Sequence, residues 1–353
     1  MTPLEKLIRE AIASEGPMRL DRYMGLALGH PQHGYYMWRD PFGARGDFVT
    51  APEVSQAFGE LIGVWCAAAW QAMGAPPSFN LVELGPGRGT LMADVLRAAR
   101  VMPGFLAAAK IRLVEMSPVL RAKQMDVLGA AAWHDRFEQV PEGPMILVAN
   151  EFFDAIPIRQ FERRDGQWFE RVIGLQDGAL KLGLVAAEDI SSQPPQGSDG
   201  DVIEFAPARS DIARLIGARL NGFPGAALII DYGHLTSAPG DTLQAMRQHK
   251  FMAVTDFPGD CDLTSHVDFE ALAKALGNGG AQVAAAITQR DFLLAMGLEA
   301  RMTTLSAKAD AAMRDSLERA KSRLADPGQM GNLFKVLAAV SPGAETPYPF
   351  GRT

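Results

Sequence analysis

The sequence predicts an α/β fold of the nucleotide-binding kind, built on a mainly parallel sheet. Three observations carry that prediction. The apolar run Phe79 to Leu84 reads as a short buried strand, interrupted by one acidic residue, Glu83. Three glycines follow at alternate positions, Gly85, Gly87 and Gly89, and a helical pattern then runs from Leu91 through Val95 to Ala99. Strand, glycine turn and helix form the first βα unit of such a fold.

Taken in order, the chain opens with Leu4, Leu7, Ile8, Ala11 and Ile12 at helical spacing. A second helix is expected over Leu20 to Leu28. His30 to Tyr36 is a turn-rich aromatic loop whose His30 and His33 read as packing and surface groups. In Gly46 to Gln56, Thr50 or Pro52 precedes a helix, because Val54, Phe58, Leu61, Ile62 and Trp65 repeat helically. Asp47 and Glu53 bracket this segment. Past the glycine loop, Ile111 to Glu115 reads as the second strand and Ala131 to Trp133 as a short third, ending at His134-Asp135. Pro144 to Ala149 is the fourth, ending in Asn150-Glu151-Phe152-Phe153-Asp154-Ala155-Ile156-Pro157. Polar groups at the carboxyl ends of parallel strands face the ligand crevice of an open α/β sheet.

From Ile158 the character changes. Hairpin signals appear around Asp165-Gly166 and Asp177-Gly178, then a polar Pro/Gly-rich loop from Ser191 to Asp201 and a helix from Ala208 to Leu220. Ala226 to Gly233 returns to the sheet as a fifth strand with Asp231 at its end. Gly259 to Phe269 is a polar loop holding His266. Phe269 to Leu276 and most of Asp291 to Ala325 read as helical, and Ala281 to Ile287 and Phe334 to Val340 as late strands. The expected division is an N-terminal helical segment, 1–78, completing the active site. A core of 79–157 and 222–353 follows, with an insertion at 158–221 that serves as a lid or partner surface.

Composition narrows the class. The chain has 353 residues, 48% hydrophobic and 21% charged, as in soluble globular proteins. Its formal charge of -7, without a Lys/Arg block, gives no broad nucleic-acid footprint. No apolar run approaches the roughly 18 residues of a membrane span. Two cysteines fit a reducing compartment and offer no metal-ligand spacing. The first fifteen residues carry three glutamates, unlike a signal or transit peptide.

The glycine spacing indicates the cofactor. A dinucleotide fingerprint is G-x-G-x-x-G, whereas this loop is G-x-G-x-G with Glu83 two residues before the first glycine. A carboxylate there attracts the ammonium of a methionine moiety and repels a pyrophosphate, which favours S-adenosylmethionine (SAM) over NAD. In these folds, an acidic residue where Glu115 stands binds ribose hydroxyls. Asp135 is a candidate for the adenine amino group.

Several motifs together resemble the MidA-type SAM-dependent methyltransferases, whose mitochondrial members are assembly factors for respiratory complex I. They are Gly46-Asp47-Phe48-Val49-Thr50-Ala51-Pro52-Glu53-Val54-Ser55-Gln56, Glu83-Leu84-Gly85-Pro86-Gly87-Arg88-Gly89-Thr90-Leu91 and the Asn150 to Pro157 run. Asp231-Tyr232-Gly233, Asp262 to Phe269 and Met330 to Lys335 complete the set, which spans almost the whole chain. The resemblance implies a class I, Rossmann-like methyltransferase fold with a seven-stranded sheet. It also implies protein arginine methylation, with the 49-kDa, quinone-site subunit of complex I as the mitochondrial substrate. Without an evident leader, the chain looks like a bacterial, cytoplasmic member.

The candidate SAM-binding residues are Glu83, Gly85, Pro86, Gly87, Gly89, Glu115, Asp135 and Asn150. A guanidinium is a delocalised cation with a pKa above about 12 and needs carboxylates to fix and polarise it. Glu151 and Asp154 are the first candidates, beside Asn150, then Asp47 and Glu53, with His266 as a proton acceptor. A base methyltransferase would carry Pro-Pro and an aromatic after Asn150; this chain carries Glu151-Phe152. The alternative is a SAM-binding scaffold that works by holding a partner.

Overall fold

The computed structural model describes residues 1–41, 50–187 and 197–350. Gly46 to Val49, with Asp47, from the Gly46 to Gln56 motif, and part of the Ser191 to Asp201 loop lie outside the described residues.

At the centre is a sheet whose seven-strand path runs Gln282–Val283, Phe334–Val340, Gly225–His234, Met145–Asn150, Phe79–Leu84, Ala109–Val114 and Ala132–His134. The five strands from Gly225–His234 to Ala132–His134 are parallel to their neighbours, and Phe334–Val340 runs antiparallel to Gly225–His234. Met145–Asn150 and Phe79–Leu84 are buried at every position. That is the signature of parallel strands covered on both faces, and it explains why both strands are mostly apolar. One face is covered by Gln56–Ala72 and Thr90–Ala99 together with the helices between 289 and 325. The other is covered by Pro207–Gly222 and Phe269–Asn278. The first pair of helices meets closely: a Cβ on Gly59 would lie 2.5 Å from the Asp94 Cβ.

Two small antiparallel sheets stand at the carboxyl edge of the central one. In the first, Arg159–Arg164, Gln167–Gln176, Ala179–Ala186 and Val202–Phe205 are joined by Met18–Arg19 from the N-terminal segment. Both expected hairpins are present, and Asp165 and Asp177 take the left-handed conformation their turns need. The helix Pro207–Gly222 lies on the central sheet beside Phe269–Asn278, so it packs with the core and not with this small sheet. In the second, Gln244–Arg247 pairs with Lys250–Met252 and Asp262–Thr264. Asp262–Thr264 was expected to be loop; its polar side chains hid a buried strand. The single strand expected over Ala281 to Ile287 is instead two short pieces, Gln282–Val283 and Ile287–Thr288, both on Phe334–Val340.

Candidate active site

The carboxyl ends of Phe79–Leu84 and Met145–Asn150 open into one pocket. Its lining includes Glu53, Glu83, Gly85, Gly87, Arg88 and Glu151, with Pro86 and Asn150 also on its wall. Seven predicted site residues therefore meet there: Glu53, Glu83, Gly85, Pro86, Gly87, Asn150 and Glu151.

The glycine loop forms one half. Gly85, Gly87 and Gly89 all have positive φ. A Cβ on Gly85 would stand 2.9 Å from Phe152 Cδ2, so this position is closed to side chains by both space and conformation. Glu83 is 3% exposed, and its Oε2 has no hydrogen-bond partner. Burial, with a smaller push from Glu115, raises this carboxyl to about 8. An orphaned acceptor at the pocket wall fits a cationic N–H donor, such as an amino-acid ammonium.

Next to it, Glu115 stands just past Ala109–Val114. Its Oε1 accepts the Ser117 N–H at 2.8 Å and its Oε2 the Gln124 amide at 3.2 Å. Gln124 also donates to the Gly87 carbonyl at 2.7 Å, tying helix Pro118–Leu128 to the glycine loop. Sequence reasoning missed Gln124; it lies mid-helix and carries no motif. Asp135 does not reach the pocket wall. Its side chain is 63% exposed and pairs with Arg121 at 2.7 Å. Gly89 caps the helix Thr90–Ala99 behind the wall and packs on Gln124 and Leu128.

The turn after Met145–Asn150 forms the other half. Glu151 is in the left-handed region at φ 51, a conformation that costs a non-glycine residue about 1 kcal/mol or more. Its Oε1 accepts the Ala51 N–H at 2.9 Å and the Asn150 amide at 3.1 Å. The second bond fixes which way the Asn150 amide points and leaves its buried Oδ1 without a partner. Burial, reinforced by Asp154, raises Glu151 to about 7. A carboxyl there can take or give a proton near neutrality.

The remaining predicted residues have other places. Glu53 lines the pocket, but its charge is committed: Oε1 accepts the Thr90 hydroxyl at 2.6 Å and Oε2 faces Arg88 at 3.6 Å. Arg88 also bonds Asp40 at 2.8 Å, and Lys123 reaches the same carboxylate at 2.6 Å. This network fastens the N-terminal segment to the glycine loop; Arg88, Asp40 and Lys123 went unnoticed in the sequence because their pairing is long-range. Asp154 is buried and is not part of the pocket lining, with Oδ1 unpartnered. His266 packs edge-on against Tyr232 at 5.2 Å, and burial lowers its pKa. Neither residue touches the pocket.

A doubly covered parallel sheet, a G-x-G-x-G turn and a buried carboxylate awaiting a cation define a class I SAM-dependent methyltransferase. The comparisons agree. A family model described as S-adenosyl-L-methionine-dependent methyltransferase matches residues 61–287. A mitochondrial protein of Drosophila melanogaster, named protein arginine methyltransferase NDUFAF7 homolog, is 37% identical over 95% of this chain and 84% of its own. The human protein arginine methyltransferase NDUFAF7, mitochondrial, is 33% identical over 96% and 83%. A Burkholderia thailandensis protein crystallised with S-adenosyl-homocysteine superposes with a TM-score of 0.85 at 30% identity, covering 99% of this chain and 95% of that one. The chain belongs to the MidA-type family of SAM-dependent methyltransferases. Among the described residues, no helix is long and apolar enough to cross a membrane.

Proposed function

We propose that this enzyme is a protein arginine N-methyltransferase in which Glu151 receives the acceptor guanidinium. The carrying observation is Glu151 itself: a strained carboxylate on the pocket wall, one oxygen fixed by Ala51 and Asn150, and a pKa near 7. The names of the relatives support the acceptor class.

SAM supplies a methyl group already activated by its sulfonium. Glu83 holds the cofactor's ammonium with its free Oε2, and the backbone at Gly85 and Gly87 lets the ligand approach. Glu115 serves the ribose. Glu151 would bind the guanidinium, draw its positive charge onto the nitrogens that do not react, and accept the N–H proton lost as the N–CH₃ bond forms. The methyl–sulfur bond breaks with its electron pair left on sulfur, which leaves the neutral thioether S-adenosylhomocysteine. Asn150 Oδ1 accepts a second guanidinium N–H. Most of the acceleration comes from aligning the acceptor and excluding water. A complex I subunit of the 49-kDa, quinone-site type, or its bacterial counterpart, is the first candidate acceptor.

The test uses isotopically labelled SAM and an extract from cells lacking the protein, with labelled bands hydrolysed to amino acids. Methylarginine in one main band is expected. Label on another amino acid would overturn the guanidinium assignment. SAM binding without any label would favour a scaffold.

A further inference from the structure

Asp231 lies toward the carboxyl end of the strand Gly225–His234 and is completely buried. Its Oδ2 accepts three successive backbone N–H groups of the distant turn: Phe152 at 3.2 Å, Phe153 at 2.9 Å and Asp154 at 3.2 Å. Its Oδ1 accepts the Tyr232 N–H at 3.0 Å. Four backbone donors on one carboxylate form an anion nest built by the fold around a side chain. The same turn is anchored at its start by the Glu151 N–H on the Ile230 carbonyl at 2.9 Å.

We propose that Asp231 is the positioning residue of the methyl-transfer site: its carboxylate holds the Asn150 to Asp154 turn in shape and thereby aims Glu151 into the pocket. This deepens the reading of Glu151 given above and rests on it. Left-handed φ at Glu151 persists only where the surroundings over-determine it. The three N–H groups that follow Glu151 all end on this one carboxylate, so no rotation of that peptide run is free.

The charges around the turn agree. Burial raises both Asp231 and Asp154, and the Asp154 charge adds to the rise at Asp231. The backbone N–H groups on Asp231 can only donate, which opposes that rise and favours its carboxylate form. Arg209, from the helix Pro207–Gly222, supplies the nearby positive charge. Its guanidinium donates to the carbonyls of Asp154 at 3.0 Å and His266 at 2.7 Å, and to the Ser265 hydroxyl at 2.6 Å. Arg323 bears on Glu151 from the other side, and Tyr232 and Tyr36 are further titratable neighbours of Asp154. Asp231 and Glu151 repel each other, so removing the Asp231 charge lets Glu151 ionise at lower pH.

The decisive variant is Asp231→Asn, assayed beside Glu151→Gln. In Asp231→Asn, kcat is expected to fall about 10²-fold, as for a slightly misplaced catalytic group. SAM affinity by calorimetry stays within threefold. The acid limb of the pH–rate profile moves to lower pH, and hydrogen exchange quickens at Phe152, Phe153 and Asp154 while other core amides hold. Unchanged kcat, or a loss with uniform exchange and an unmoved acid limb, would overturn the proposal. If this variant does not fold, the unaltered protein decides: those three amides exchange slowly and the Asp231 carboxyl resonance stays ionised below that of Asp154. Fast exchange, or an Asp231 that protonates first, would refute it. Full activity in Glu151→Gln would sink the role of Glu151 and leave the amide result on Asp231 standing, so the two failures are told apart.

Discussion

The two halves of the pocket are built by different means. The glycine loop is made from neighbours: strand, turn and helix lie within Phe79 to Ala99, and the positive φ values fall on the glycines. The Asn150 to Asp154 turn has no glycine, and its one left-handed residue is Glu151. It is held instead by Ala51, about a hundred residues earlier, and by Asp231, nearly eighty residues later. A cofactor shared by many enzymes is served by a local device, whereas the acceptor side depends on distant parts of the chain being in place.

If that contrast is sound, substitutions should divide between cofactor affinity and transfer. The largest separation is expected for Glu151→Gln. Loss of a group that both binds and deprotonates the acceptor lowers kcat by about 10³-fold, within the range for general base catalysis. SAM affinity, measured by calorimetry, stays within a few-fold. A variant with normal turnover would remove Glu151 from the chemistry.

Gly85→Val is the mirror image. The new side chain would meet Phe152 and force an unfavourable φ, so SAM affinity drops by about 10²-fold or more, a cost of roughly 3 kcal/mol. Retained affinity in a titration would mean that the loop is not the cofactor site.

Glu83→Gln sharpens the cofactor side through pH. The ammonium needs the carboxylate, whose carboxyl in the free site is raised to about 8 by burial. SAM affinity of the unaltered enzyme therefore rises from pH 6 toward about 8 and falls again above as the ligand's ammonium loses its proton. The Gln variant loses that slope and about 2 kcal/mol of binding at pH 8, the value of a charge-assisted hydrogen bond. Stability moves oppositely. A carboxyl raised on folding favours the protonated form, so its penalty grows as pH rises from the unfolded value toward about 8. Glu83→Gln should melt higher than the unaltered protein at pH 8.5 and about equally at pH 4; lower melting at both would deny that the burial is costly.

The smallest effect is expected at the network joining the halves. Thr90→Val removes the hydroxyl from Glu53 and leaves Arg88 in place, at a cost of about 1 kcal/mol. This should show as a few-fold higher KM for SAM with kcat nearly unchanged. A large fall in kcat would give Glu53 a direct part in transfer.

Much of the fold was readable because the signals are local or periodic. Mostly apolar runs marked the doubly covered strands, and Asp-Gly pairs marked the two hairpins. Asp262–Thr264 was missed because its strand pairs with Gln244–Arg247 across an irregular stretch, and polar side chains buried there look like loop. Glu83 and Glu151, proposed from their positions at strand ends, both line the pocket. Asp154 and His266 were also candidates, yet Asp154 is buried outside the pocket lining and His266 packs edge-on against Tyr232. Asp135 ended its strand as expected and went to solvent with Arg121.

By itself, the sequence determined the class of fold, the cofactor and the acidic character of the site. Those follow from steric and charge requirements met within a few consecutive residues: a Cβ excluded at Gly85, a carboxylate at the end of a buried strand. Only the tertiary structure decided which carboxylates face the ligand, which are spent on Arg88 or Arg121, and which one braces the turn. Burial, pairing and the direction of a backbone N–H depend on what distant segments bring alongside, and no local spacing encodes that.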